Sequence, residues 1–64
     1  MEIYIERTDE KRILKFDGKV SALLERLKIN PETVVVVKNN KVVTEEENLK
    51  NNDNIEILSV ISGG

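Results

Sequence analysis

One stretch of this chain carries helical periodicity, in a sequence otherwise patterned for strands. Val20, Leu23, Leu24 and Leu27 fall at i, i+3, i+4 and i+7, which lines four apolar side chains along one stripe, while Glu25, Arg26 and Lys28 fall outside it toward water. The spacing predicts a helix from about Lys19 to Lys28, with the leucines as core. Asn30-Pro31 should end it, because the residue before proline is pushed out of the α region. A single amphipathic helix can cover only one face of a sheet, so the rest of the chain must supply that sheet.

It does. Met1, Ile3 and Ile5 alternate with Glu2, Tyr4 and Glu6, the period of a half-buried strand. After the polar break Thr8-Asp9-Glu10, Leu14 and Phe16 alternate with Lys15 and predict a second strand, hairpin-paired with the first. Asp17, beside Gly18, is placed to accept backbone hydrogen bonds near the helix start. Thr33 to Lys38 contains four consecutive valines, too β-branched and too short for a helix, and reads as a central strand. Asn39-Asn40 tolerates the positive φ of a tight turn, so Lys41-Val42-Val43 should fold back. Thr44 and Glu47 have the spacing of a capping box opening a helical turn, with Leu49 inward; the trio Glu45-Glu46-Glu47 is then helix-start chemistry and not a metal site. Asn51 to Asn54 forms another polar turn, and a last strand runs from Ile55 to about Ile61. The expected architecture is an α+β roll: a mixed sheet of four to five strands, one main helix packed on one face, and the first and last strands side by side in the middle.

Composition narrows the function. Sixty-four residues make one small domain that hides only about 60% of its unfolded surface. With no cysteine and no histidine, nucleophilic triads, thiolate metal sites and the commonest general base are all missing, so self-contained catalysis is excluded as a leading reading and no metal or bound cofactor is expected. Twelve acidic and ten basic residues nearly cancel, and one Tyr, one Phe and no Trp supply little stacking surface, which argues against nucleic acid. There is no long apolar run for a membrane and no signal-peptide pattern, so a cytoplasmic monomer is expected.

Two of the three glycines stand together at Gly63-Gly64, directly after the apolar run ending in Ile61. Without Cβ atoms they make a thin backbone able to thread a narrow enzyme slot and present the Gly64 carboxylate unobstructed. A carboxylate is a poor acyl donor, so chemistry there requires activation by another protein, as an acyl-adenylate made from ATP. The chain would be a substrate and not a catalyst. We therefore expect a body at 1–61 and a flexible tail at 62–64.

The element order, with Asp53-Asn54-Ile55-Glu56-Ile57-Leu58 and the ending Val60-Ile61-Ser62-Gly63-Gly64, resembles the ubiquitin-like β-grasp sulfur carriers of the ThiS and small archaeal modifier type, with MoaD more distant. The resemblance implies a β-grasp fold and a Gly64 that an E1-like enzyme adenylates and a sulfur source converts to a thiocarboxylate. Gly63 is its slim neighbour, and Ile61 and Ser62 are the part of the tail that enters the activating enzyme. It further implies a sulfur-acceptor enzyme as a second partner, thiazole, molybdopterin or tRNA uridine as destinations, and, in some archaeal members, joining to lysines of target proteins. The alternative from another class is a non-reactive β-grasp interaction module.

A tail alone offers little specificity, so a folded face should help. If Lys38 points to solvent, Val36 and Val34 share its face; if Glu56 points out, Leu58 and Val60 do likewise. Val34, Val36, Leu58 and Val60 are thus expected to form an exposed apolar patch leading to the tail.

Overall fold

A computed structural model describes residues 1–60. The expected roll is present. Strands β1 (Glu2–Ile5), β2 (Glu10–Ile13), β4 (Val34–Lys38), β5 (Lys41–Val43) and β7 (Asn54–Ser59) form one mixed sheet in the order β2-β1-β7-β4-β5. The central β7 runs parallel to β1 and antiparallel to β4, so the first and last strands are neighbours. Helix α1 (Val20–Leu27) covers one face. Two short strands, β3 (Gly18–Lys19) and β6 (Asn48–Leu49), pair separately.

The core follows from the two periodicities. Met1, Ile3 and Ile5 of the first strand region meet Ile55 and Ile57 of β7 and Val36 of β4; Val20, Leu23 and Leu24 of α1 close over them, and Leu49 seals one end. Leu27 is only half-buried, the stripe's last member lying at the core's margin. No polar side chain is buried among the described residues, so the interior carries no unpaired polar group to desolvate.

Four local expectations are corrected. The second strand lies at Glu10–Ile13, earlier than Leu14-Lys15-Phe16, because the chain reverses through a tight 3-10 turn at Glu6–Thr8 closed by Asp9 at φ 52; that turn sets Glu10 opposite Ile5. Every residue of β2 is exposed, while Leu14 and Phe16 pack on the core from irregular backbone. Inward parity was correct there, and strand geometry was not.

The helix stops at Leu27, before Asn30-Pro31. Lys28 takes a left-handed conformation at φ 60; its amide donates to Glu25 O at 3.1 Å and that of Ile29 to Leu24 O at 2.9 Å, the paired bonds of a Schellman ending. Pro31 instead opens a 3-10 turn, Pro31–Thr33, capped by Asn30, whose Oδ1 accepts from the Glu32 amide at 2.9 Å. A lysine at φ 60 carries a Cβ penalty that glycine lacks. Lys28→Gly is expected to raise stability by about 0.5–1 kcal/mol in urea denaturation, the reverse of the usual glycine effect inside a helix.

Thr44 to Glu47 forms a turn, Glu47 N donating to Thr44 O at 3.1 Å, and opens no helix. Its carbonyls serve the helix already identified. Lys19 precedes α1 with no side-chain cap, and the amides of Val20 and Ser21 donate to Glu47 O at 2.9 Å and Glu45 O at 3.1 Å. Two of the orphan donors at the helix start are thus satisfied by a distant loop. Asp17 likewise does not cap: its Oδ1 accepts from the Asn51 amide at 3.1 Å, and Asn51 Oδ1 accepts from the Phe16 amide at 3.2 Å, a reciprocal clasp between the two loops. Gly18 sits between them at φ +150, where an added Cβ would come within 3.2 Å of the Phe16 ring.

Asn39 and Asn40 adopt φ 49 and 71, the expected hairpin turn. Asn39 also tethers the start of β7, its Oδ1 accepting from the Asn54 amide at 3.0 Å and its Nδ2 donating to Asp53 Oδ1 at 3.0 Å.

Candidate functional site

The site is the end of the sheet at which β7 finishes. β7 is flanked on both sides along most of its length, by β1 through the pair Ile5 and Ile57 and by β4 through the pair Val34 and Ser59. Past the last pairs, Val60 N donates to Thr33 O at 2.9 Å, and Ser59 N donates to Glu6 Oε1 at 3.2 Å. The predicted reactive segment, Ile61, Ser62, Gly63 and Gly64, lies outside the described residues. Its attachment point, Val60, is 45% exposed.

Of the four residues expected in the docking patch, two lie on the outer face of the sheet and two on the core face. Ile55 and Ile57 point into the core, so Glu56, Leu58 and Val60 take the opposite face of β7. On β4 the parity is reversed from expectation: Val36 lies directly opposite Ile57 and is 4% exposed, and Val34 packs beside it against the core. Lys38 is charged yet does not point straight to solvent. It shares the core-side face at the sheet's rim, and its long stem carries the ammonium outward to Glu47 Oε2 and Asn48 O, both at 3.1 Å, with Asp53 Oδ2 at 3.9 Å. Val35, opposite Leu58, and Val37, opposite Glu56, therefore occupy the outer face instead. Val42 joins them, opposite Val37 and 73% exposed. Around β7, β4 and β5 the outer face presents Val35, Val37, Val42, Leu58 and Val60. Four valines in a row contain no parity signal, so only the partner strand could assign it.

On the inner side of the same sheet end lies an open groove of about 600 Å³, with Ile5, Ile57, Leu27 and Ile29 at its floor and Arg7, Arg12 and Lys28 on its walls. Tyr4 sits on the outer face of β1, its hydroxyl donating to Asp9 Oδ1 at 2.8 Å; that bond, with Asp9, Glu6 and Glu56 as neighbouring charges, pushes the phenol above its ordinary value. Among the described residues no group of His, Cys, Asp or Glu is arranged to hold a metal ion, and no helix is long and apolar enough to cross a membrane.

Asp53 is the carboxylate most bound into the frame. The Lys50 amide donates to its Oδ2 at 2.8 Å and Asn39 to its Oδ1, and these bonds, then the charges of Lys38 and Lys50, hold its carboxyl below the usual range. A depressed pKa adds stability that is present above the unfolded value and lost as pH falls through the folded one. Asp53→Asn should therefore unfold more easily than the parent at neutral pH, with the gap closing as pH is lowered below about 4. Parallel thermal melts across pH 2–7 check this; a gap independent of pH would contradict it.

Against this geometry the comparisons with known proteins are consistent. The family model described as the ThiS family matches residues 2–64. The chain is 35% identical over 65 residues to the sulfur carrier protein TtuB of Thermus thermophilus, covering 100% of each. It is also 44% identical over 58 residues to a protein of Archaeoglobus fulgidus, covering 88% of this chain and 85% of that one. Among solved structures, the solution structure of a thiamine biosynthesis protein from Geobacter metallireducens superposes with a TM-score of 0.61 at 26% identity, covering 100% of this chain and 88% of that one. A five-stranded mixed sheet with one helix, a family match spanning nearly every residue and an end-to-end sulfur-carrier relative leave one conclusion: the chain belongs to the ThiS family.

Proposed function

We propose that this protein is a sulfur carrier whose reactive group is the main-chain carboxylate of Gly64. The observation that carries the reading is the position of the diglycine in the sequence of a ThiS-family chain: it begins three residues after Val60, just past the end of β7, with no histidine or cysteine anywhere to perform chemistry of its own. A carboxylate oxygen of Gly64 would attack the α-phosphorus of ATP, releasing pyrophosphate. A sulfur donor would then displace AMP from the acyl carbon to leave a thiocarboxylate. The activating enzyme binds the ATP and supplies the catalytic groups; this chain supplies the acyl carbon, the slim approach of Ser62-Gly63 and a surface to be recognised.

That surface is the outer face of Val35, Val37, Val42, Leu58 and Val60. Each side chain contributes on the order of 1.5–3 kcal/mol if fully buried, and several are already half covered, so the face supports a complex that forms and separates once association costs are met. A carrier visiting an activating enzyme and then an acceptor enzyme needs that reversibility. The body at 1–61 would remain folded while the tail at 62–64 enters each enzyme. The thiamine role of the Geobacter neighbour supports thiazole formation as one destination for the sulfur, and tRNA thiolation is the other. Lysine conjugation would draw on the same activated acyl group. All of this chemistry belongs to the cytoplasm.

The test is to incubate the protein with ATP, a sulfur source and each of several enzymes of the ubiquitin-activating type, and to read the intact mass. We expect the mass change of one oxygen replaced by one sulfur. A terminus left unaltered by all of them, alongside partner capture that survives loss of Ser62 to Gly64, would mark a non-reactive interaction module instead.

A further inference from the structure

Alternate amides of β7 face its two neighbours in turn. Val60 donates to Thr33 on the β4 side, so the Ser59 amide faces β1. There, pairing has ended two residues earlier, at Ile57 with Ile5, because the first strand turns away into its 3-10 segment. The acceptor is instead a side chain: Ser59 N donates to Glu6 Oε1 at 3.2 Å, across 53 positions of sequence. On the other flank the carbonyl that receives Val60 is itself fixed, since Thr33 N and Oγ1 donate to Asn30 O at 3.1 and 2.8 Å.

Resting on the carrier function above, we propose that Glu6 is a positioning residue for the acyl terminus: with Thr33 O it holds Ser59 and Val60 from both sides and so fixes the point and direction in which the chain leaves the sheet. The physical gain is in the direction of exit, since a misplacement of about 1 Å at a reacting group can cost on the order of 100-fold in rate. A charged acceptor suits the task, because hydrogen bonds to an ionised oxygen are stronger than neutral ones. Glu6 is itself exposed, so its loss removes little packing.

Three full-length proteins decide the matter: the parent, Glu6→Ala and Glu6→Gln. In amide hydrogen exchange, Ser59 should exchange about tenfold faster in Glu6→Ala with Ile57 unchanged, and within about twofold of the parent in Glu6→Gln, whose amide oxygen still accepts. In the intact-mass assay with an activating enzyme, Glu6→Ala should lower kcat about three- to tenfold with KM changed less than about twofold, and Glu6→Gln should largely restore it. Unchanged Ser59 exchange in Glu6→Ala, or adenylation as fast as the parent's, overturns the positioning role alone. A parent that no activating enzyme modifies refutes the carrier reading, and the functional half of this proposal falls with it.

Discussion

Leu23→Ala is expected to destabilise the domain by about 2–5 kcal/mol, the cost of removing buried methyl groups and leaving a cavity. Leu23 is fully buried, where α1 meets the sheet. A chain of 64 residues has total stability of roughly 3–10 kcal/mol, so the substitution should remove about half of it. Each kcal/mol shifts the midpoint of so small a domain by about 4–8 °C, and thermal melts followed by circular dichroism should show a fall of tens of degrees or no folded baseline. Val42→Ala, on the 73% exposed outer position, is the control and should stay within about 0.5 kcal/mol of the parent. A cost below about 1 kcal/mol at Leu23 would mean that the helix does not close the core as described.

Removal of Gly64 should have the opposite profile, with complete loss of thiocarboxylate formation and an unaltered melting temperature. The described core lies entirely within Met1 to Ile57, and the melting temperature is expected to rest on those residues. The truncated chain would still end in a carboxylate, on Gly63, but one residue or about 3.5 Å short of an adenylation centre, and misplacement of that order forfeits the aligned geometry on which activation depends. Leu58→Asp separates docking from chemistry. A charge placed opposite Val35 on the outer face should raise KM for the activating enzyme about tenfold or more while leaving the terminal acid intact, since desolvating an unpaired carboxylate in an apolar contact is costly. Rates unaffected by loss of Gly64 would end the acyl-carrier reading; rates unaffected by Leu58→Asp would move the recognition surface elsewhere.

The two differ in how they could be seen beforehand. The role proposed for Gly64 is legible in one dimension, because a terminal diglycine and the absence of histidine and cysteine are properties of the string. Leu58 is legible through the alternation of Ile55 and Ile57 with Glu56 and Leu58. Val36 was not. It stands among like neighbours, and Lys38 gave the wrong parity because a long aliphatic stem lets a core-side position end in solvent. Glu6 was hidden for another reason. In sequence it is one more polar member of an alternating strand, and its importance arises only where β1 stops and Ser59 is left facing it.

From its residues alone this chain determined the helix, four of the five strands of the main sheet and most of the side chains that fill the core, because periodicity is local and survives without a partner. The tertiary structure alone decided the valine register, the loop carbonyls of Glu45 and Glu47 that start the helix, and the clasp on Ser59 and Val60. Each of those is a choice of hydrogen-bond partner across tens of residues. Backbone donors must be satisfied by something, but which acceptor answers is settled only when the sheet has brought distant segments within about 3 Å of one another.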